Sequence, residues 1–100
     1  DLIPREMKLF TNYPNPFNPE TVIRYTISGE REQYNVSLKV YNLLGQEVAT
    51  LIEGEQKPGY YEVRFSGRTL TTGVYFYRFA VDGGTQDSRY VDIKKMMLMK

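Results

Sequence analysis

Carboxylates are the side chains in this sequence numerous enough to suggest acid–base or hydrolytic chemistry, and they are scattered: Glu20, Glu30, Glu32, Glu47, Glu53, Glu55, Glu62, Asp82, Asp87 and Asp92. A glycosidase needs two of them facing each other across the scissile bond. None sits in a recognisable motif, and most fall in loops or at outward strand positions, where solvated surface charge is the better account. The chain has no histidine, which removes the usual general base and the commonest metal ligand. It has no cysteine either, so there is no thiolate nucleophile and no disulfide. Asp82, Asp87 and Asp92 lie near one hairpin and suggest calcium, but their spacing does not match an EF-hand loop, and turn chemistry accounts for them. Asn35-Val36-Ser37 is a formal glycosylation sequon, although Asn35 is already explained as a loop residue. Gly83-Gly84 serves a turn, and no phosphate-binding glycine loop is present. Arg64, Arg78 and Lys39 beside aromatic strands suggest a stacking platform for nucleic acid. Against that, Tyr75, Tyr77 and Phe79 alternate inward, and a net charge of +1 offers no attracting field for nucleic acid or a membrane surface.

The elements that would position these residues are strands. Ile23, Tyr25 and Ile27 share one face of Thr21 to Ser28; a polar loop from Gly29 to Asn35 follows. Val36, Leu38 and Val40 point inward from Val36 to Asn42. Leu43-Leu44-Gly45 is a tight turn with Gly45 placed to take φ > 0. Gln46 to Ile52 returns as the hairpin partner and ends in a loop from Gly54 to Gly59. Tyr61, Val63 and Phe65 share a face of Tyr60 to Ser66, Gly67 to Gly73 is a corner, and Val74 to Val81 is dense in aromatics. Asp82-Gly83-Gly84 is a hairpin turn, Arg89 to Lys100 completes the sheet with Met96 and Leu98 on one face, and Met7 to Phe10 is a short extra strand. Helical periodicity is lacking over any ten-residue window, so the fold class is all-β: an immunoglobulin-like antiparallel β-sandwich of about seven strands. The Leu70-x-x-Gly73-Val74-Tyr75 spacing resembles a tyrosine corner, and Tyr75 is expected to bond back to the corner backbone.

One hundred residues make one domain, and 41% hydrophobic with 25% charged residues is ordinary for a globular chain. Asn12-Tyr13-Pro14-Asn15-Pro16-Phe17-Asn18-Pro19 is a stiff extended lead-in, because each proline fixes its own φ and restricts the residue before it. Tyr13 and Phe17 are expected to face the core. The start at Asp1-Leu2-Ile3-Pro4 reads as a fragment or processed product, with any export signal of a longer parent lying upstream, and no apolar run is long enough to span a bilayer. The division expected is a linker from an upstream domain over 1–11 and a folded domain over 12–100. The last segment, Ile93 to Lys100, is both a core-covering strand and an edge open to strand addition. Pairing of two copies through edge strands stays open.

The lead Tyr13 to Pro19, the strand Thr21 to Tyr25, the hairpin Val40 to Val48, the corner Leu70 to Arg78 and the lysine-framed last strand occur in order from Phe10 to Lys100. Together they resemble the C-terminal sorting domain of cargo proteins of the type IX (Por) secretion system, type A. The central strands are similar also to the immunoglobulin-like domain of the flagellar hook-capping protein. The resemblance implies a non-enzymatic address label that needs no cofactor or metal and does not insert stably in a membrane. An outer-membrane translocon would recognise it, and a cell-surface sortase would cleave it or exchange it for a surface anchor. The cargo domain would lie upstream in the same chain, passing through the periplasm to the cell surface or medium. Carried over by position, the sorting and recognition residues are Pro14, Asn15 and Pro16, then Asn42, Gly45 and Val48, then Gly73, Tyr75, Lys95 and Lys100. Asp82 to Asp92 is longer than the family's usual last hairpin, and Gln46 stands where arginine is common. Two other readings stay open: a structural, adhesive or carbohydrate-binding β-sandwich, which needs an exposed aromatic row on one sheet, and a small hydrolase, which needs two close buried carboxylates.

Overall fold

The alternation of apolar and polar residues carries through, among the described residues, into seven strands: β1 (Lys8–Leu9), β2 (Glu20–Ile27), β3 (Tyr34–Tyr41), β4 (Glu47–Gln56), β5 (Gly59–Ser66), β6 (Gly73–Asp82) and β7 (Arg89–Leu98). The computed structural model describes residues 4–100; Asp1, Leu2 and Ile3, the first part of the stretch read as a linker, lie outside the described residues. Strands β1-β2-β5 form one sheet and β4-β3-β6-β7 the other, with every strand pair antiparallel. Their inner faces supply a common core: Ile23, Tyr25 and Ile27 from β2, Val36, Leu38 and Val40 from β3, Phe65 from β5, Tyr75, Tyr77, Phe79 and Val81 from β6, and Met96 and Leu98 from β7. This is the expected β-sandwich, built because a period of two places every second side chain on the buried face. Leu9 joins that core and β1 pairs with β2, so the latter part of the presumed linker stretch belongs to the sandwich.

Aromatic rings organise the interior. Tyr25 stacks on Tyr61 with centroids 5.3 Å apart and tilts against Phe79 at 4.7 Å. Each buried phenol reaches a polar partner. Tyr25 donates to Gln56 Oε1 (2.6 Å), and Tyr77 donates to the Phe10 carbonyl while accepting from the Asn12 amide, both at 2.9 Å. Tyr75 donates to the Thr71 carbonyl at 2.7 Å, which is the bond that the corner spacing anticipates.

Four features, one side chain and three element boundaries, differ from the sequence reading. Tyr13 is three-quarters exposed instead of facing the core, because its backbone bridges Val22 on the outer side of β2, whereas Phe17 is fully buried. β3 begins at Tyr34, whose ring continues the inward alternation that the neighbouring polar residues conceal. β4 runs on through Glu53, Gly54 and Glu55 to Gln56, paired with β3, and only Lys57-Pro58 links it to β5. As an edge strand over this stretch β4 carries polar side chains outward, so apolar alternation does not mark its end. The β6–β7 connection is a six-residue turn with a 3-10 segment at Gln86–Ser88, in which Asp82 Oδ1 accepts from the Gly84 amide and pairs with Arg89.

Burial pushes the phenols of Tyr25 and Tyr77 up to about 12, because the apolar surroundings disfavour the phenolate. An unfolded chain releases these protons near pH 10, so the folded state holds them longer and its advantage is complete below that value. The urea midpoint is therefore expected to stay level from neutral pH to about 9 and to fall as pH rises from about 10 to 12. Tyr77→Phe should flatten that alkaline decline while lowering the neutral-pH midpoint, since the Asn12 amide then loses its acceptor. A decline of unchanged steepness in both Tyr25→Phe and Tyr77→Phe would contradict this assignment.

Candidate functional site

Three segments far apart in sequence meet at one end of the sandwich. Asn15, Pro16 and Phe17 of the lead-in lie along the outer edge of β7. The Phe17 amide donates to the Met97 carbonyl and the Met99 amide to the Phe17 carbonyl, both at 2.9 Å, while the Met97 amide donates to Asn15 Oδ1 at 3.0 Å. The prolines on either side suit this role, since a segment short of amide donors spends its few on one strand edge. Tyr13-Pro14, Asn15-Pro16 and Asn18-Pro19 are all cis. The lead-in is held from inside by Asn12, whose side-chain amide donates to the Pro14 carbonyl (3.2 Å) and to Thr21 Oγ1 (3.0 Å).

The corner after β5 closes over the same junction. Gly67 bonds to the Pro19 carbonyl, and a Cβ there would lie 2.8 Å from Leu98 Cδ2 and 3.4 Å from the Phe17 ring. Gly73 pairs with Leu98 and Tyr75 with Met96. Lys100 donates through its amide to Thr72 Oγ1 (3.1 Å) and through Nζ to the Arg68 carbonyl (2.6 Å). The β3–β4 turn completes the end. Asn42 Oδ1 accepts from the amides of Leu44 and Gln46, its Nδ2 donates to Gln46 Oε1, and Gly45 takes φ 83°. Gln46 thus locks the turn, and a depression of about 200 Å³ separates Asn42, Leu43 and Leu44 from Thr71 to Tyr75.

Of the residues singled out from sequence, Pro14, Asn15, Pro16, Asn42, Gly45, Gly73, Tyr75 and Lys100 are brought to this end. Lys95 stands beside it on the outer face, opposite Phe76. Val48 is not part of the surface group; it packs half-buried against the core, at the irregularity of the β3–β4 pairing. Sequence reasoning missed Asn12, Gly67, Arg68 and Thr72. Asn12 and Gly67 carried a signal, an asparagine and a glycine at the borders of strands, but a partner so distant in sequence leaves no local mark. The exposed apolar side chains of Tyr13, Leu43, Leu44, Met97 and Met99 belong to this end, with Arg68, Lys95 and Lys100 supplying positive charge. A surface of this make-up suits binding to another protein. Among the described residues the buried polar side chains are Asn12, Thr21 and Thr26, and no group of three His, Cys, Asp or Glu could hold a metal.

Gly67→Ala tests the junction, because the extra methyl collides with Leu98 and abuts the Phe17 ring while the backbone conformation itself is open to alanine. It is expected to cost about 1–3 kcal/mol of stability and to speed hydrogen exchange at the Met97 and Met99 amides. Unchanged exchange at those two amides would show that the three segments are not mechanically joined.

No curated protein and no solved structure matches the chain significantly. A family model described as the secretion system C-terminal sorting domain matches residues 11–94, which spans the lead-in, the β3–β4 turn and the corner and stops one residue before Lys95. The chain belongs to that family, the C-terminal sorting domains of type IX secretion.

Proposed function

We propose that the joined end of the sandwich is the address that the outer-membrane translocon of type IX secretion reads, and that a cell-surface sortase then separates the domain from an upstream cargo. The observation that carries this reading is the assembly of Asn15–Phe17, Asn42–Gly45, Gly67–Tyr75 and Met97–Lys100 into one surface. Family membership supports export to the cell surface or the medium. The distribution of aromatic side chains agrees with a label in preference to a sugar-binding platform, since Tyr25, Phe65, Tyr75, Tyr77 and Phe79 are all buried. A non-catalytic role agrees with carboxylates that pair at the surface: Glu62 with Arg24, Glu20 with Arg64, and Glu47 and Glu53 with Lys39.

Recognition of an assembled end has a physical advantage over recognition of a linear signal. The groups that touch a receptor are in place only when the lead-in and the last strand have met, so an unfolded chain does not present them. Deleting the last strand is a poor test, because Met96 and Leu98 are core residues. Lys95→Ala with Lys100→Ala leaves the core intact.

A fluorescent protein carrying an export signal and fused ahead of residues 1–100 is expected to reach the surface or medium of a bacterium possessing type IX secretion. The double lysine variant should lower that signal about tenfold, the effect of removing roughly 1.4 kcal/mol of receptor binding. The variant's melting temperature would be measured alongside. Full export of the double variant would remove the lysines from the address, and periplasmic retention of the folded parent would sink the sorting role itself.

A further inference from the structure

Outside the joined end, β7 leaves a second surface unexplained. It is an edge strand of the four-stranded sheet, and Asn15–Phe17 covers its outer edge only at Met97 and Met99. Those bonds show that the backbone groups of odd-numbered residues face outward, and the pairing of β7 with β6 runs without a register shift from Arg89 to Leu98. The amide and carbonyl groups of Val91, Ile93 and Lys95 therefore line an edge that no strand among the described residues covers. Their side chains lie on the outer face, where Val91 and Ile93 are half exposed. Ile93 also borders a groove of about 300 Å³ formed with Tyr41, Leu43, Phe76 and Arg78.

The inner-face residues on either side of Ile93 are charged and opposite in sign. Asp92 and Lys94 lie between the sheets at the open margin, paired with each other at 4.0 Å and partly shielded. Asp92 Oδ1 also accepts from the Ile93 amide at 2.8 Å, so a carboxylate holds the donor at the centre of the free edge. Charges turned inward on an edge strand ordinarily discourage pairing. Here their order, Val91-Asp92-Ile93-Lys94-Lys95, is complementary to itself when reversed about Ile93.

We infer that β7 is a homodimerisation edge that takes a second copy of this chain, antiparallel, with Ile93 opposite Ile93. In that register Asp92 of each copy faces the other copy's Lys94, and Val91 faces the other copy's Lys95. The outward groups of Val91, Ile93 and Lys95 exchange roughly six hydrogen bonds. Asp92 and Lys94 occupy the non-hydrogen-bonded positions, where facing α-carbons are only about 4.5 Å apart and side chains interact most strongly. The Ile93 amide passes from its own neighbour's carboxylate to a carbonyl of the second copy, and the released Asp92 meets the opposing Lys94. Ile93 side chains meet on the outer face, and the two four-stranded sheets become one. A register moved by two residues sets Asp92 against Asp92 or Lys94 against Lys94, so charge selects the pairing, and the two-fold closes it after two copies. The segment Asn15–Phe17 ends the free edge at Met97 and leaves the joined end outside the interface, apart from Lys95, which borders both surfaces. This inference stands independently of how the domain is read during export.

Sedimentation analysis of the 100-residue chain over about three decades of concentration is expected to show a monomer–dimer equilibrium that salt weakens. Asp92→Lys and Lys94→Asp each set like charges opposite one another twice in the dimer and should raise the dissociation constant about tenfold or more. The double variant Asp92→Lys/Lys94→Asp restores both pairs with signs exchanged and should return the constant to within about threefold of the parent. Hydrogen exchange at Val91, Ile93 and Lys95 should slow as the dimer fills, which reports the interface without substitution. Circular dichroism would confirm that each variant is folded. A monomer at every concentration would overturn the proposal and leave the edge to a strand of another protein. A dimer that the single variants do not weaken, or that the double variant does not rescue, would overturn it too, since the contact would then lie elsewhere.

Discussion

The meeting of Phe17 with Leu98 beneath Gly67 is the constraint on which the rest of the structure turns. Both side chains are fully buried, and the glycine suits the position because a Cβ there would press into Leu98 beside the Phe17 ring. The hydrogen bond from Met97 to Asn15 joins residues 82 positions apart. Loop closure over such a separation costs conformational entropy, though that cost grows only slowly with length. What offsets it is burial of Phe17 against Phe65 and Leu98 together with the backbone bonds along β7. Once this junction forms, the Gly67–Gly73 corner is fixed from below, the Tyr75 bond to Thr71 has a rigid acceptor, and Lys100 reaches the Thr72 hydroxyl and the Arg68 carbonyl.

Most of the sandwich was legible because its causes are local. Inward alternation in β2, β3 and β6 follows from the pleat, and the buried residues Ile23, Tyr25, Val36, Leu38, Tyr77 and Phe79 are those that the period of two selects. Tyr75 was legible for a similar reason, because its acceptor is only four residues away. The misses share the opposite property. Tyr13 reads as core-facing in an extended lead-in, yet its side depends on a bridge to Val22, a tertiary fact. The far half of β4 has no apolar signal because its residues need only be compatible with β3 on one side. The lead-in reads as stiff and extended, whereas it bends at residues 14–16 and 18–19 between its bridges at Tyr13 and Phe17; its partner left no mark either, since prolines restrict the backbone and say nothing of what it lies against.

The two edges of the four-stranded sheet are treated differently. β4 is interrupted by register shifts opposite Leu38/Lys39 and Val40/Tyr41, and it carries Glu47 and Glu53 around Lys39. Irregular pairing and clustered charge are ordinary ways of making an edge a poor template. β7 is regular along its whole length, and its charges alternate in sign about one isoleucine. A regular edge with self-complementary charge excludes many partners while admitting one. That is specificity by repulsion at the neighbouring registers, and it differs in kind from the blunted edge across the sheet.

The chemistry of the chain is consistent with this economy. Carboxylates that suggest catalysis when met in sequence are used for geometry: Asp82 holds a turn, and Glu47 and Glu53 neutralise Lys39; the phenols of Tyr75 and Tyr77 tie strands to loops, and that of Tyr25 ties β2 to the end of β4. What remains for partners is backbone edge, exposed methionine, leucine and tyrosine, and a few cations at one end. A domain that serves as a label gains from this division. Its interior polar groups are committed to one fold, so the surface it offers depends on that fold being complete and not on any reactive group. Asn15 makes the dependence concrete. Its side-chain Oδ1 accepts from Met97 of the last strand, whose other edge pairs with β6, so the entry and the end of the sandwich each hold the other in place.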